Sequence, residues 1–202
     1  MIVFVTTADT EILALSRVAR DLPDGFPALK GVNPTRLPDA SAPESLAAGA
    51  SLVLVRLLGG RRAWEAGFDG LAAHCRRTGI PFLAWSGEPY ADAELTAAST
   101  APAAIVAEAF AYLCHGGVDN LKQLLLFLSD TLLMTGYGFE PPQPLPEYGI
   151  YHPAFAEGDL SLVAIRLPGQ RHRALRQARH PRMAAGQEYR ALRGLLPRSC
   201  SG

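Results

Sequence analysis

Gly59-Gly60-Arg61-Arg62 is the stretch whose residue types most resemble a binding element. It follows the most apolar run of the chain, SLVLVRLLGG (Ser51–Gly60), and opens a segment with helical periodicity. A glycine turn between a strand and a helix presents backbone N–H groups with the helix dipole behind them, a geometry that can hold an anion. Two guanidinium groups add positive charge. The same four residues also suit a plain strand-to-helix turn with solvated arginines, and both readings stand. Nucleotide binding is disfavoured: there is no GxGxxG or GxxxxGK[ST], and the first apolar run is followed by Thr6-Thr7-Ala8-Asp9, without a glycine. Arg56 lies inside the apolar run itself. A buried guanidinium needs a carboxylate or carbonyls beside it, or a place where the strand end opens onto a cleft, and a structural and a ligand-binding role fit it equally. Arg56, Gly59, Gly60 and Arg61 are therefore the candidate substrate-binding residues.

Other constellations are weaker. His74-Cys75 and Cys114-His115 invite a zinc reading but lack CxxC or HxxxH spacing, and would have to meet across the fold. Cys75 falls on an apolar helix face, where cysteine acts as a small hydrophobe. His115 falls in a last helical turn, where a cation suits the dipole. Ser86-Gly87-Glu88 follows a strand, at the end where open α/β sheets place ligands, which is a faint hint. With no GxSxG, no HExxH and no carboxylate pair distinct from surface charge, no catalytic residue and no metal ligand is nominated.

The elements that must position these residues read as an open, mostly parallel α/β sheet of flavodoxin-like or Rossmann-like type. Strands are expected at Ile2–Val5, Leu29–Val32, within Ser51–Gly60 and at Ile80–Trp85. Asp9 is a good N-cap for a first helix that Asp21 and Pro23 stop. A weak helix covers about residues 44–48. A helix over 61–78 carries Trp64, Phe68, Leu71 and Cys75 on one face and ends at Gly79. A C-terminal helical pair, Ala103–His115 and Asn120–Thr135, closes the domain, the second with Leu121, Leu124, Leu125, Leu128 and Leu132 as its stripe.

The expected organisation is an α/β domain over 1–135, a linker over 136–158, one strand of a following domain over 159–166, and an arginine-rich tail over 167–202. Gly136 and Gly138 can end a helix, and Pro141, Pro142, Pro144 and Pro146 keep the linker extended. Its aromatics, Tyr137, Phe139, Tyr148 and Tyr151, suggest that it lies against a domain surface. Net charge is zero, but unevenly distributed. Residues 1–165 hold 10 Lys and Arg against 18 Asp and Glu, whereas residues 166–202 hold 9 Arg against one acid, Glu188. No run approaches the roughly 20 apolar residues of a membrane helix, and the start MIVFVTT lacks the features of a signal peptide. Three widely spaced cysteines fit a reducing compartment, so the cytoplasm is expected.

Three blocks go further. VRLLGGRRAWEAGFDGL, GEPYADAELTAASTAP and AYLCHGGVDNLKQLLLFLSDTLLMTGYGFEPPQPLPEYGIYHP, in that order, resemble the N-terminal region of the CobN-type large subunit of cobaltochelatase, a family related to the H subunit of magnesium chelatase. The resemblance runs from about Met1 to about Ile165. It implies ATP-dependent insertion of Co(II) into hydrogenobyrinic acid a,c-diamide in aerobic cobalamin biosynthesis. It implies a large subunit that binds tetrapyrrole and metal, and two partners, an AAA+ ATPase and its companion, that hydrolyse ATP. The full complex would use ATP, Mg2+ and Co2+, with no cofactor expected on this stretch.

Family chains are several times longer, and their metal- and ring-handling residues are expected beyond this region, so no chelation is expected of these residues alone. After LSLVAI the sequence becomes RLPGQRHRALRQARHPRMAAGQEYRALRGLLPRSCSG. With 17 Arg to 2 Lys, a frameshift near Arg166 in GC-rich DNA is expected. A basic arm for nucleic acid is the disfavoured reading, since only Tyr189 interleaves the arginines and Pro168, Pro181 and Pro197 break any long helix. The alternatives for the body are a magnesium chelatase H-type subunit acting on protoporphyrin IX, and a stand-alone, non-catalytic flavodoxin-like binding module.

Overall fold

The structure is a computed structural model that describes residues 1–37, 42–144, 163–164 and 174–175. The chain divides into two compact units, Met1–Glu147 and Tyr148–Gly202. In the first, strands β1 (Ile2–Thr6), β2 (Leu29–Val32), β3 (Leu52–Leu57) and β4 (Phe82–Ser86) form one sheet in the order β2-β1-β3-β4. Every pairing is parallel, with Ile2 opposite both Leu29 and Leu52, and Arg56 opposite both Thr6 and Trp85. Parallel strands need crossovers, and the crossovers bury both faces of the sheet. That is why β1 and β4 are buried at every position.

Side chains alternate between two cores. Ile2, Phe4, Leu52, Leu54, Leu83 and Trp85 pack on helices α1 (Asp9–Val18), α4 (Ala103–His115) and α5 (Gly117–Leu133). Val3, Val5, Val53, Val55, Phe82 and Ala84 face the opposite way, toward α2 (Glu65–Thr78) and α3 (Ala93–Ala98). Phe68 of α2 meets Phe82 edge to face, ring centroids 5.6 Å apart. The Trp85 indole N–H donates to the Val106 carbonyl at 3.0 Å, so the one polar atom of that ring is satisfied in the core. β4 is an edge strand, and Ser99-Thr100 lies along its open side. The Ala84 N–H donates to Ser99 Oγ and the Phe82 N–H to Thr100 Oγ1, both at 2.9 Å, while the Thr100 N–H donates to the Phe82 carbonyl. The ST pair of GEPYADAELTAASTAP thus closes the sheet edge.

The open parallel sheet and the C-terminal helical pair are as the periodicity predicts. Four details differ. Asp9 is the first residue of α1 and not its cap; the Ala8 N–H donates to Thr6 Oγ1, and the Asp9 carboxylate is tied to Asn33 and Arg36. Among the described residues, the segment between β2 and β3 carries the 3-10 turns Pro34–Arg36 and Pro43–Ala47, runs of three and five residues too short for an α-helix. The helix expected over 61–78 begins as a 3-10 turn, Arg61–Trp64, and the backbone breaks at Trp64 (φ −157°, ψ 47°), whose ring lies across Gly67. Helix α3, capped by the Asp92 carboxylate on the N–H groups of Glu94 and Leu95, escaped the periodicity because it is only six residues long.

In the second unit, β5 (Val163–Ala164) pairs antiparallel with β6 (Ala174–Leu175). The rest of the expected strand over 159–166, the linker beyond Pro144 and most of the arginine-rich tail lie outside the described residues.

Candidate functional site

The strand order reverses between β1 and β3, so their C-terminal ends flank the crevice where open α/β sheets receive ligands. Thr6, fully buried, ends β1, and Thr7 turns the chain; the Leu58 N–H donates to Thr7 Oγ1 at 2.9 Å, stitching the two loops together. Arg56 stands one residue before the end of β3. Its guanidinium is ion-paired with Glu11 of α1, to which the Thr6 hydroxyl also donates, and Nη2 donates to the Gly87 carbonyl at 3.4 Å. Arg56 Nε is buried with no hydrogen-bond partner among the described residues. The first condition foreseen for Arg56 is met: the Glu11 carboxylate compensates its charge.

Gly59 and Gly60 form the neighbouring turn, with φ of +84° and +70°. A side chain at either would be strained, and a Cβ on Gly60 would meet Asp92 Oδ2 at 3.2 Å. Arg61 turns away from the crevice. Its Nε and Nη2 form a fork on Asp69, Nη1 reaches Glu94 at 2.8 Å, and Glu65 lies at 3.5 Å. These bonds raise the Arg61 pKa and hold the Asp69 carboxyl below its ordinary range. Arg61 therefore ties α2 to α3, and Arg56 is the guanidinium left at the crevice.

Cys114, at the end of α4, brings its Sγ to 3.9 Å from the Pro89 carbonyl in the loop after β4. Burial raises its thiol pKa, while the positive charge of Arg56 pulls it back. Cys75 is buried on α2 and desolvation pushes its thiol up to about 11, which keeps it a protonated core residue at neutral pH. α2 and α4 cover opposite faces of the sheet, so His74-Cys75 and Cys114-His115 do not meet. Among the described residues no group of three or more His, Cys, Asp or Glu is placed to hold a metal ion. Ser86 is buried and its hydroxyl donates to the Tyr90 carbonyl, so it supports the loop after β4. A surface cavity of about 340 Å³ lies between the end of α1 and the start of β2, with Arg20, Asp24 and Phe26 in its wall. It opens at the other end of the sheet, away from Arg56.

What this edge offers chemically is one oriented guanidinium in a hydrogen-bonded frame of Thr6, Thr7, Glu11 and Gly87. The roles of Thr6 and Glu11 were missed from sequence, since Thr6 reads as punctuation and Glu11 as a solvated helix residue. The available signal was the pairing of a charged residue inside an apolar strand with an acid in the first turn of the preceding helix.

No protein-family model matches the chain. Aerobic cobaltochelatase subunit CobN of Pseudomonas aeruginosa is 31% identical over 163 residues, which is 79% of this chain and 13% of that protein. The catalytic subunit of cobaltochelatase from Mycobacterium tuberculosis aligns with a TM-score of 0.61 and 37% identity, over 83% of this chain and 12% of the solved one. The chain thus spans about an eighth of the length of either relative.

Proposed function

Since this chain is an N-terminal CobN-type region of the cobaltochelatase large-subunit family, we propose that it serves within a large subunit that inserts Co(II) into hydrogenobyrinic acid a,c-diamide, in cobalamin biosynthesis. The observation that carries this reading is that sequence identity and shared fold extend over the same large share of the chain, 79% and 83%. Chelation requires stripping water from the ion, deprotonating two ring nitrogens and bending the macrocycle. An enclosed cavity driven by separate ATP-hydrolysing subunits suits these steps. The partners in this reading are an AAA+ ATPase and its companion subunit, the place of action is the cytoplasm, and Co2+ is substrate while ATP and Mg2+ serve the motor.

Arg56, Gly59, Gly60 and Arg61 are the proposed contacts for the acidic side chains of the tetrapyrrole. To take part, Arg56 would share its pairing with Glu11, and Arg61 would give up Asp69 or Glu94. The residues that hold the ion are placed in this reading outside the 202-residue chain. A magnesium chelatase of the H type is the second reading, and the names of both relatives favour cobalt over it.

The test is an insertion assay with corrin precursor, Co(II), ATP and both partner subunits. The long chain carrying this region is expected to give metallated product, and the 202-residue chain none. Insertion by the 202-residue chain would overturn the reading. Tetrapyrrole binding by that chain, without insertion by the longer one, would favour a stand-alone module.

A further inference from the structure

The prolines and aromatics that follow α5 do not leave the first unit directly. Met134 adopts a left-handed conformation, φ +57°, the one non-glycine residue to do so among the described residues, and the chain doubles back. From Tyr137 to Gln143 it runs along α5 in the reverse direction, and side chains of that helix satisfy its amides in sequence. The N–H groups of Tyr137 and Gly138 donate to the two carboxylate oxygens of Asp130, at 2.8 and 2.7 Å. The Glu140 N–H donates to Gln123 Oε1 at 2.8 Å. The Gln143 N–H donates to Asn120 Oδ1 at 2.9 Å, while Asn120 Nδ2 donates back to the Gln143 carbonyl at 2.8 Å.

The spacing is what two antiparallel elements of different rise require. Ten residues of helix, from Asp130 back to Asn120, cover about 15 Å at 1.5 Å per residue. Five extended residues, from Gly138 to Gln143, cover about 16 Å at 3.3 Å per residue. Pro141 and Pro142 carry no N–H to satisfy and are already extended. Side chains lock the same register: the Tyr112 hydroxyl donates to the Glu140 carbonyl at 2.7 Å, Phe139 packs on Phe127 at 5.1 Å, and Tyr137 packs on Phe26 at 5.4 Å between ring centroids. Tyr112, Asn120, Asp130, Gly136, Gly138 and Glu140 all belong to the block AYLCHGG…EPPQPLP, and the crevice at Arg56 uses none of them.

We propose that the exposed side of α4 and α5 is a docking groove for an extended segment, occupied by this chain's own residues 136–144, and that Asp130, Gln123 and Asn120 are positioning residues that fix the register of that segment along α5. Asn120 is the central element, being buried and bonded to both the N–H and the carbonyl of Gln143.

Residue-resolved amide exchange on the full 202-residue chain tests this. The amides of Tyr137, Gly138, Glu140 and Gln143 are expected to be protected. Asp130→Ala should lower protection at Tyr137 and Gly138 by roughly tenfold or more, and Asn120→Ala at Gln143, while the amide of Leu54 in β3 keeps its own. Gln123→Ala, which removes one partly exposed acceptor, should lower protection at Glu140 alone and serves where another variant fails to fold. Exchange of these four wild-type amides at the rate of an unstructured peptide would overturn the proposal. So would variants that leave strap protection unchanged with the sheet intact.

Discussion

At the scale of single residues, Asp130 and Arg56 are the two charged groups whose surroundings make firm demands. Burial acts to raise the Asp130 pKa. The hydrogen bonds it accepts from Thr135 and from the backbone of Tyr137, Gly138 and Gly136 outweigh that, so its carboxyl lies below the ordinary aspartate value of 3.8. A carboxyl depressed in the folded state contributes stability that is present above its unfolded pKa and lost as pH falls through the folded one. Asp130→Asn should therefore lower stability at neutral pH, by no more than about 1 kcal/mol once solvent screening of this partly exposed carboxylate is counted, and urea midpoints of the two proteins should converge as pH drops below about 4. A gap that persists unchanged into strong acid would contradict the assignment. Arg56 and Glu11 are only 16% and 19% exposed in their side chains. Glu11→Ala should cost about 2–4 kcal/mol by urea denaturation, since it leaves a mostly buried charge uncompensated. Glu11→Gln, which keeps an acceptor, should cost less. Arg56 was legible as an anomaly because a charge stands in an apolar strand, whereas its partner was not. Glu11 is 45 residues away in sequence, and no local pattern marks a contact at that separation.

At the scale of elements, most of the architecture could be read in advance where burial dictates periodicity. The runs IVFVT and LVLVRL lie in strands covered on both sides, and α4 and α5 have faces too apolar to be exposed. The exceptions are places where the local pattern is overridden. The 3-10 start before α2 is one, and beside it an ideal Cβ on Gly67 would lie 2.0 Å from the Trp64 ring. Gly67→Ala gains about 1 kcal/mol of helix propensity, yet displacing an indole should outweigh that and give a net loss of about 1–2 kcal/mol. Tryptophan emission should shift to the red as Trp64 moves into water, and unchanged emission with increased stability would show that the ring is free to swing aside. The strap along α5 is the other exception. Its prolines were readable as extended and its aromatics as lying on a surface, but its register depends on Asp130, Gln123 and Asn120, three polar residues on a helix that ordinarily read as solvated.

At the scale of the whole molecule, the first unit is a completed sheet with both faces covered, a strap along α5 and one oriented guanidinium at its switch point. No helix among its described residues is long and apolar enough to cross a membrane. It also spans about an eighth of the relatives that share its fold, one of them named a catalytic subunit. In this unit the residues point to a family more clearly than to a reaction. Resemblance accumulates over many positions. Chemistry has to be concentrated in a few.

The most direct measurement offers the long chain carrying this region, with both ATPase partners and ATP, a choice between Co(II) with hydrogenobyrinic acid a,c-diamide and Mg(II) with protoporphyrin IX. We expect ATP-dependent appearance of the cobalt corrinoid and no magnesium porphyrin. Magnesium insertion into protoporphyrin IX, or no ATP-dependent metallation of either ring, would contradict the assignment.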